Sequence, residues 1–430
     1  MITRQSIPLL CALACAVVVA LPAAADASPL IVVDGAKQTV INDTFLAPPT
    51  ADDLAAQPPP PAPAQASDGK VMATLRAALE RRSINQDEYD HWREIYINAL
   101  NTATVLSGRC RGQLATVISQ LQRMARAGDL TPSRMPILFL QLQRNTEYWA
   151  SSPNISNGGR VSFAGEFVIW QHYAGQGLQF QPLANWGRAA AVAEYCRKLG
   201  PYCISVKQSL ASRIDTLISL ASVRHGATAW EYYFSFDGGA PPWMSGMAQG
   251  TALQALSVGA QVLNQAFYLQ VARTALPSFS QPTPYGVAVA ADGGRHYALY
   301  SFAPKTKVLN GFLQAILGLK TFAAATKDPL AIKLARLGDR AARRETPRYD
   351  TGKWSLYQRP GRKESTTSYH ILVRDFLRRM CRLTGAKVYC HTAARFTYYL
   401  HKRGIADNAP EAAGTTPVAP GAPTGPRCGA

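Results

Sequence analysis

The chain has 430 residues, 47% of them hydrophobic and 17% charged, and a formal net charge of +18. Such a length without an internal linker points to one folded domain, and the charge points to anionic partners. Beyond residue 27 no stretch reaches the roughly eighteen uninterrupted apolar residues of a membrane span, so no transmembrane anchor is expected.

Residues 1–27 read as an export leader. Arg4 supplies the positive start, residues 7–20 are apolar but for Pro8, and Ala25-Asp26-Ala27 is a small-x-small cleavage site before Ser28. The leader holds one Arg and one Asp, so its removal leaves the charge at +18. A secreted, periplasmic or cell-envelope location follows. There a basic surface meets acidic polysaccharides, teichoic-type polymers or lipid headgroups, and nucleic acid is not an expected partner. Export permits disulfides. The spacings suggest Cys196–Cys203 and Cys381–Cys390, leaving Cys110 and Cys428 for a long-range pair. No CxxC occurs and His391 stands alone beside Cys390, so neither a metal nor a cofactor is expected.

Residues 28–68 read as an extended Pro/Ala-rich linker, with a β-like run at 30–33 and four consecutive prolines at 58–61. The folded unit spans 69–404, and the Pro/Gly/Ala-rich tail at 405–430 is expected to be disordered. Within the unit, apolar residues recur at three- and four-residue spacing over 71–82, 86–104, 112–127 and 133–149, then over 187–198 and 206–224. The pattern resumes at 244–260, 266–274, 308–325, 328–344, 365–384 and 391–401. Short connections make these helices antiparallel hairpins. The predicted fold is mainly α, an α/α toroid-like array with a few short strands near a cleft, at 160–163, 232–236 and 287–301.

Four polar-aromatic stretches interrupt the helices. The first, WQHYAGQGLQFQPLANWG at 170–187, sets Trp170, Tyr173, Gln176 and Gln179 among glycines; such amides can bind sugar hydroxyls or satisfy a loop's own backbone. The second begins in WEYYFSFDGGAPPWMSGMAQG at 230–250, with five aromatics in seven residues followed by Asp237-Gly238-Gly239 and Pro241-Pro242-Trp243. It suits the walls of a sugar cleft and equally a core strand with a tight turn. The others are PKTKVLNGFLQAILGL at 304–319 and YDTGKWSLY at 349–357.

Together Trp243, Ser245, Met247-Ala248-Gln249-Gly250, Val308-Leu309-Asn310-Gly311-Phe312 and Tyr349-Asp350-Thr351-Gly352 resemble the C-terminal domain of D-glucuronyl C5-epimerases. Thr366-Thr367-Ser368-Tyr369-His370 falls where that family has a Tyr/Thr/His cluster, and the resemblance covers 230–402. It implies a helical toroid-like domain and inversion at C5 of glucuronate within an acidic polysaccharide. The C5 proton, alpha to a carboxylate, must leave to a base on one face and return from an acid on the other. By resemblance Tyr300 is the proton-transfer residue, and the acidic position before it is Leu299; no Asp or Glu lies between Asp292 and Lys327. A substitute would come from Glu166, Asp237, Tyr369 or His370. Arg295 and Gln249 are candidate carboxylate or hydroxyl binders, Trp243 and Trp170 sugar platforms, and Asn310 and Tyr349 further substrate contacts. Three alternatives stay open: a uronate lyase using Tyr300, Arg295 and His296; a hydrolase using Glu166 with Asp237; and a non-catalytic envelope polysaccharide-binding protein. His296 also reads as a surface histidine in a Gly-rich loop, and Glu166 as a buried structural carboxylate.

Overall fold

The computed structural model describes residues 28–49, 69–151, 153–291 and 293–407. The chain begins with a hairpin, β1 (Ser28–Asp34) and β2 (Lys37–Asp43), and four helices, α1 (Gly69–Glu80), α2 (Gln86–Val105), α3 (Gly108–Ala127) and α4 (Met135–Ala150). Strands β3 (Arg160–Phe163), β4 (Trp170–Tyr173) and β5 (Gly177–Phe180) complete a five-stranded sheet of order β2-β1-β3-β4-β5, with β1 parallel to β3.

Four helical hairpins follow. They pair α5 (Pro182–Leu199) with α6 (Lys207–Ser219), α7 (Gly246–Leu263) with α8 (Phe267–Ala275), α9 (Leu309–Thr326) with α10 (Pro329–Glu345), and α11 (Thr367–Thr384) with α12 (Lys387–Lys402). Between them lie three two-stranded ribbons: β6 (Ser222–Arg224) with β7 (Ala227–Ala229), β8 (Ala288–Ala291) with β9 (Gly294–Tyr297), and β10 (Lys307–Val308) with β11 (Gln358–Arg359). The first helix of each hairpin packs on the next, α5 on α7, α7 on α9, α9 on α11, and the second helices form an outer layer. This is the α/α toroid-like arrangement that the periodicity predicts.

Sequence explains the layering. Helix α7 carries no charged residue and α9 only Lys320, so both can be buried on nearly every side. Outer α10 is strongly amphipathic, with Arg336, Arg340 and Arg343 among its polar positions. The α7–α9 contact is unusually close because glycines meet there. A Cβ on Gly318 would stand 1.9 Å from the Gly250 carbonyl oxygen, and one on Gly250 would stand 2.6 Å from the Ala315 Cα. The glycine ending the Met247–Gly250 motif is therefore a packing residue.

The boundary at residue 69 needs correction. Residues 28–43, expected in the linker, belong to the fold: Leu30 and Val33 are buried, and Asp43 pairs with Arg188 of α5. A seven-residue strand of this kind is stabilised by the sheet it joins, which its own pattern does not reveal. Residues 232–236, expected as a strand, form a bridged loop instead, with Tyr232 paired to Trp243. Disulfides join Cys196 to Cys203 and Cys381 to Cys390. The expected leader, the four prolines, the tail beyond residue 407 and the Cys428 end of the third pair lie outside the described residues.

Candidate active site

Helices α5, α7, α9 and α11 all begin at one cleft. Gln181 and Leu183 line it from the start of α5, Ser245 and Met247 from α7, Asn310 from α9 and Tyr369 from α11. The cleft is open to solvent and offers about 50 Å³ to the centres of water-sized spheres. The remaining lining is aromatic apart from Leu299: Tyr173, Tyr232, Phe234, Phe236, Trp243 and Tyr300. No Asp, Glu, His, Lys or Arg is among these lining residues.

The wall from Tyr232 to Trp243 is a tight loop. Asp237 and Gly238 both have positive φ, +43° and +80°, and Phe236 and Gly239 exchange two backbone hydrogen bonds across that turn. Tyr232 and Trp243 bond through their backbones at 2.8 and 3.1 Å. Their rings stack at 4.0 Å with 2° between planes, and the Trp243 Nε1–H donates to the Phe234 carbonyl at 2.8 Å.

Behind this wall Glu231 is wholly buried. It accepts from Arg134 Nε at 2.7 Å, Arg224 Nη1 at 2.6 Å and Ser222 Oγ at 2.7 Å. Burial alone would raise its pKa; the two guanidiniums outweigh burial and hold the carboxylate below its usual value. Arg224 also donates to the Pro242 and Pro284 carbonyls, at 3.1 and 2.8 Å. The cluster thus anchors the loop that presents Trp243. Glu231 was not singled out by sequence reasoning; a lone acid inside a five-aromatic run was its only signal.

The opposite walls are equally constrained. Backbone bonds from Gly246 to Ala298 and from Ser301 to Met244 tie the Tyr300 loop to the start of α7. The Tyr300 ring sits 5.9 Å from Trp243 and 5.5 Å from Phe236. Tyr369 lies in the first turn of α11, where Thr366 Oγ1 accepts its N–H, and its ring packs 4.8 Å from Tyr357. Gln181 caps α5 through Oε1, and that oxygen also accepts from the Tyr232 hydroxyl at 3.4 Å. Among the described residues no group of three or more His, Cys, Asp or Glu is placed to hold a metal ion, and no helix is long and apolar enough to cross a membrane.

Residues 224–398 match the family model for the D-glucuronyl C5-epimerase C-terminus. That segment is similar to the C-terminal domain of D-glucuronyl C5-epimerases. A D-glucuronyl C5-epimerase of Caenorhabditis elegans is 31% identical over 132 residues, 27% of this chain and 21% of the relative. An uncharacterized protein of Methanocaldococcus jannaschii is 26% identical over 167 residues, 37% of this chain and 54% of the relative. The chain thus spans about half the length of the archaeal relative and a fifth of the nematode epimerase. Among solved structures, a cellobiose 2-epimerase of Bacillus thermoamylovorans has a TM-score of 0.39 at 9% identity, covering 63% of this chain and 72% of its own. A family 76 glycoside hydrolase of Bacteroides thetaiotaomicron has a TM-score of 0.37 at 14% identity, covering 51% and 48%.

The structure brings Tyr173, Trp243, Asn310, Tyr300 and Tyr369 to the cleft, with Leu299 at the position where the family resemblance implies an acid. It puts the other candidates elsewhere. Gln249 is buried, its Nε2 donating to the Trp230 carbonyl at 3.0 Å. Trp170 is a core residue against Phe180. Gln179 bonds Gln141 and Gln120, and Gln176 holds both the N–H and the carbonyl of Ser235. Arg295 donates to the Phe279 and Ser280 carbonyls, so it is occupied on backbone away from the cleft. The Tyr349 hydroxyl donates to the Lys307 carbonyl at 3.0 Å, and burial with nearby Glu345 raises its pKa. Asp237 is exposed on its turn. Glu166 pairs with Arg144 in the β3–β4 turn and is partly exposed.

Both alternative histidines are core residues. His370 stacks on Trp354 at 3.7 Å, accepts from Ser355 at Nδ1 and donates from Nε2 to the Phe396 carbonyl. Burial lowers its pKa to about 4, so it is neutral and has no proton to offer the cleft. His296, expected at the surface, is buried on β9 with Nδ1 2.9 Å from Glu345 Oε2, and Glu345 also takes Lys307 at 2.9 Å.

Proposed function

We propose that this protein is an exported carbohydrate-active enzyme of the D-glucuronyl C5-epimerase type, acting on a uronate-containing polysaccharide. The carrying observation is that Tyr300 and Tyr369, from separate elements, line one aromatic cleft with Trp243. The family match over 224–398 supports the reading, and the leader-like start and two disulfides support export.

Inversion at C5 requires two proton-transfer groups on opposite ring faces. In this reading Tyr300 as phenolate removes the C5 proton, and the Tyr369 phenol delivers one to the other face. Tyr300 then ends protonated and Tyr369 as phenolate, and exchange with solvent restores the starting state. Charge moves onto the sugar carboxylate as the proton leaves, so hydrogen-bond donors in the cleft favour the transition state. Tyr232, Phe234, Phe236 and Trp243 give the cleft an apolar wall against which the C–H side of a sugar ring can pack.

A second reading is a non-catalytic polysaccharide-binding protein, and Leu299 in the acid's place favours it. The lyase and hydrolase readings need His296, or Glu166 with Asp237, and none of these lines the cleft. Incubation with glucuronate polymers in deuterated water separates all four. Deuterium at C5 in intact chains is the expected result. Unsaturated uronate absorbing in the ultraviolet would mean a lyase, shortened saturated chains a hydrolase, and binding without exchange the second reading.

A further inference from the structure

A uronate polymer carries its negative charge far beyond the sugar that reacts, whereas the cleft lining holds no cation. We infer that the outer face of α10 is a second binding surface for that polymer, a basic track that leads to the cleft and holds stretches of the chain that are not reacting. This inference rests on the carbohydrate reading above.

Lys333, Arg336, Arg340 and Arg344 recur at three- and four-residue spacing, and all four are exposed. They stand on one face of the helix, over about 16 Å at the α-helical rise. Like charges at this spacing repel one another and cost the helix stability. Acids on the same face would relieve that repulsion, but the two acids of α10 are engaged elsewhere. Asp339 pairs with Arg343 and accepts from the Tyr389 hydroxyl, and Glu345 is buried against His296 and Lys307. Lys333, Arg336 and Arg340 have no ion-pair partner among the described residues. Neighbouring cations on the face lie within the Debye length of about 8 Å at physiological salt, so a polyanion meets them as one field.

The face leads to the site. Helix α10 returns antiparallel to α9 and ends beside the cleft, where Glu345 in its last turn takes Lys307, three residues before Asn310. Just beyond, exposed Arg348 offers its carbonyl to Arg359 Nη1 at 2.8 Å. Arg359 lies two residues after Tyr357, whose ring packs 4.8 Å from that of Tyr369 in the cleft lining. Cations therefore continue from the outer helix to the rim. The partner that fits is a chain with regularly repeated carboxylates, because one such chain can enter the cleft and lie along the track at once. Holding it at both places raises the effective concentration of each sugar at the cleft without any new contact there.

The test is calorimetric binding, at low salt, of a glucuronate polymer and of a tetrasaccharide cut from it. Wild-type protein should bind the polymer about tenfold or more tighter than the tetrasaccharide. Lys333→Gln combined with Arg336→Gln and Arg340→Gln removes exposed, mutually repelling charges and should leave the melting temperature near wild type. It should lose most of the polymer's advantage while binding the tetrasaccharide within about twofold of wild type. Lys333→Arg combined with Arg336→Lys and Arg340→Lys should bind both as wild type does. The same change of net charge made around α1 and α2, at exposed Arg76, Arg81 and Arg93, should leave the polymer's advantage in place. An equal loss in that control would mean that net charge alone acts, and would overturn the track. An unchanged polymer advantage in the α10 triple variant, or equal wild-type affinity for the two sugars, would overturn the track while leaving the carbohydrate reading in place. Binding of neither sugar by wild type would overturn both.

Discussion

Two stretches of this chain look alike in composition and contribute unequally to the cleft. Residues 170–187 and 230–250 both mix aromatics, glycines and amides. The first becomes β4, β5 and the start of α5; it reaches the cleft through Tyr173, Gln181 and Leu183, and most of its amides bond other protein groups. Gln179 meets Gln141 and Gln120, Gln176 meets Ser235, and Asn185 bonds Ile169 and Gln181. The second lines the cleft with Tyr232, Phe234, Phe236 and Trp243, and one of its two acids, Glu231, is held behind that wall by Arg134 and Arg224. The lesson lies in the neighbours. Helices α3 and α4 bring Gln113, Gln120, Gln141 and Asn145 against the first stretch, where they bond its side chains and backbone. Aromatic faces in the second cannot be satisfied by hydrogen bonds, and the loop geometry leaves them lining a cleft.

This contrast can be broken by substitution. The largest stability effect is expected from Glu231→Gln, which leaves two buried guanidiniums short of their charge partner. Urea unfolding should show a loss of about 3–5 kcal/mol, and a loss under about 1 kcal/mol would mean that the anchor is dispensable. Acidification is next. His370 and His172 are held neutral by burial, both with pKa lowered to about 4. The unfolded chain takes up these protons first, near the ordinary histidine pKa of about 6.5. Stability is therefore fully present above about pH 6.5 and falls as pH drops toward 4, by on the order of 3 kcal/mol for each histidine that stays buried. A melting temperature flat from pH 7 to 4.5 would contradict this. The smallest effect is expected from Gln179→Ala, about 1–3 kcal/mol from partners left unsatisfied. Sugar binding should survive it at a temperature where the variant is folded, whereas a substrate-contacting residue would lose binding instead.

Much of the α/α array was legible because helix periodicity is local: all four hairpins have a counterpart in the apolar spacing. The start of the fold was not, because β1 depends on pairing with β3, over a hundred residues away, and β2 pairs only with β1. In the site, Trp243, Tyr300, Asn310 and Tyr369 were reachable through motif order. Gln249 and Gly250 share that motif yet serve packing, because one amide caps a buried carbonyl and one glycine lets two helices touch. Tertiary neighbours separate the two roles, and spacing does not encode them. His370 shows the same limit: its stacking on Trp354 and both its ring hydrogen bonds are tertiary. The Leu299 departure was visible in the sequence, but that the cleft lining holds no carboxylate at all required the fold.

The central claim is that a tyrosine in a cleft lined by uncharged residues moves the C5 proton of an acidic sugar. Tyr300→Phe removes one oxygen and keeps the ring that packs against Trp243 and Phe236. Followed by NMR in deuterated water with a glucuronate polymer, incorporation at C5 should fall by about 10²-fold or more, with binding and melting temperature near wild type. Exchange at the wild-type rate in the folded variant would contradict the account.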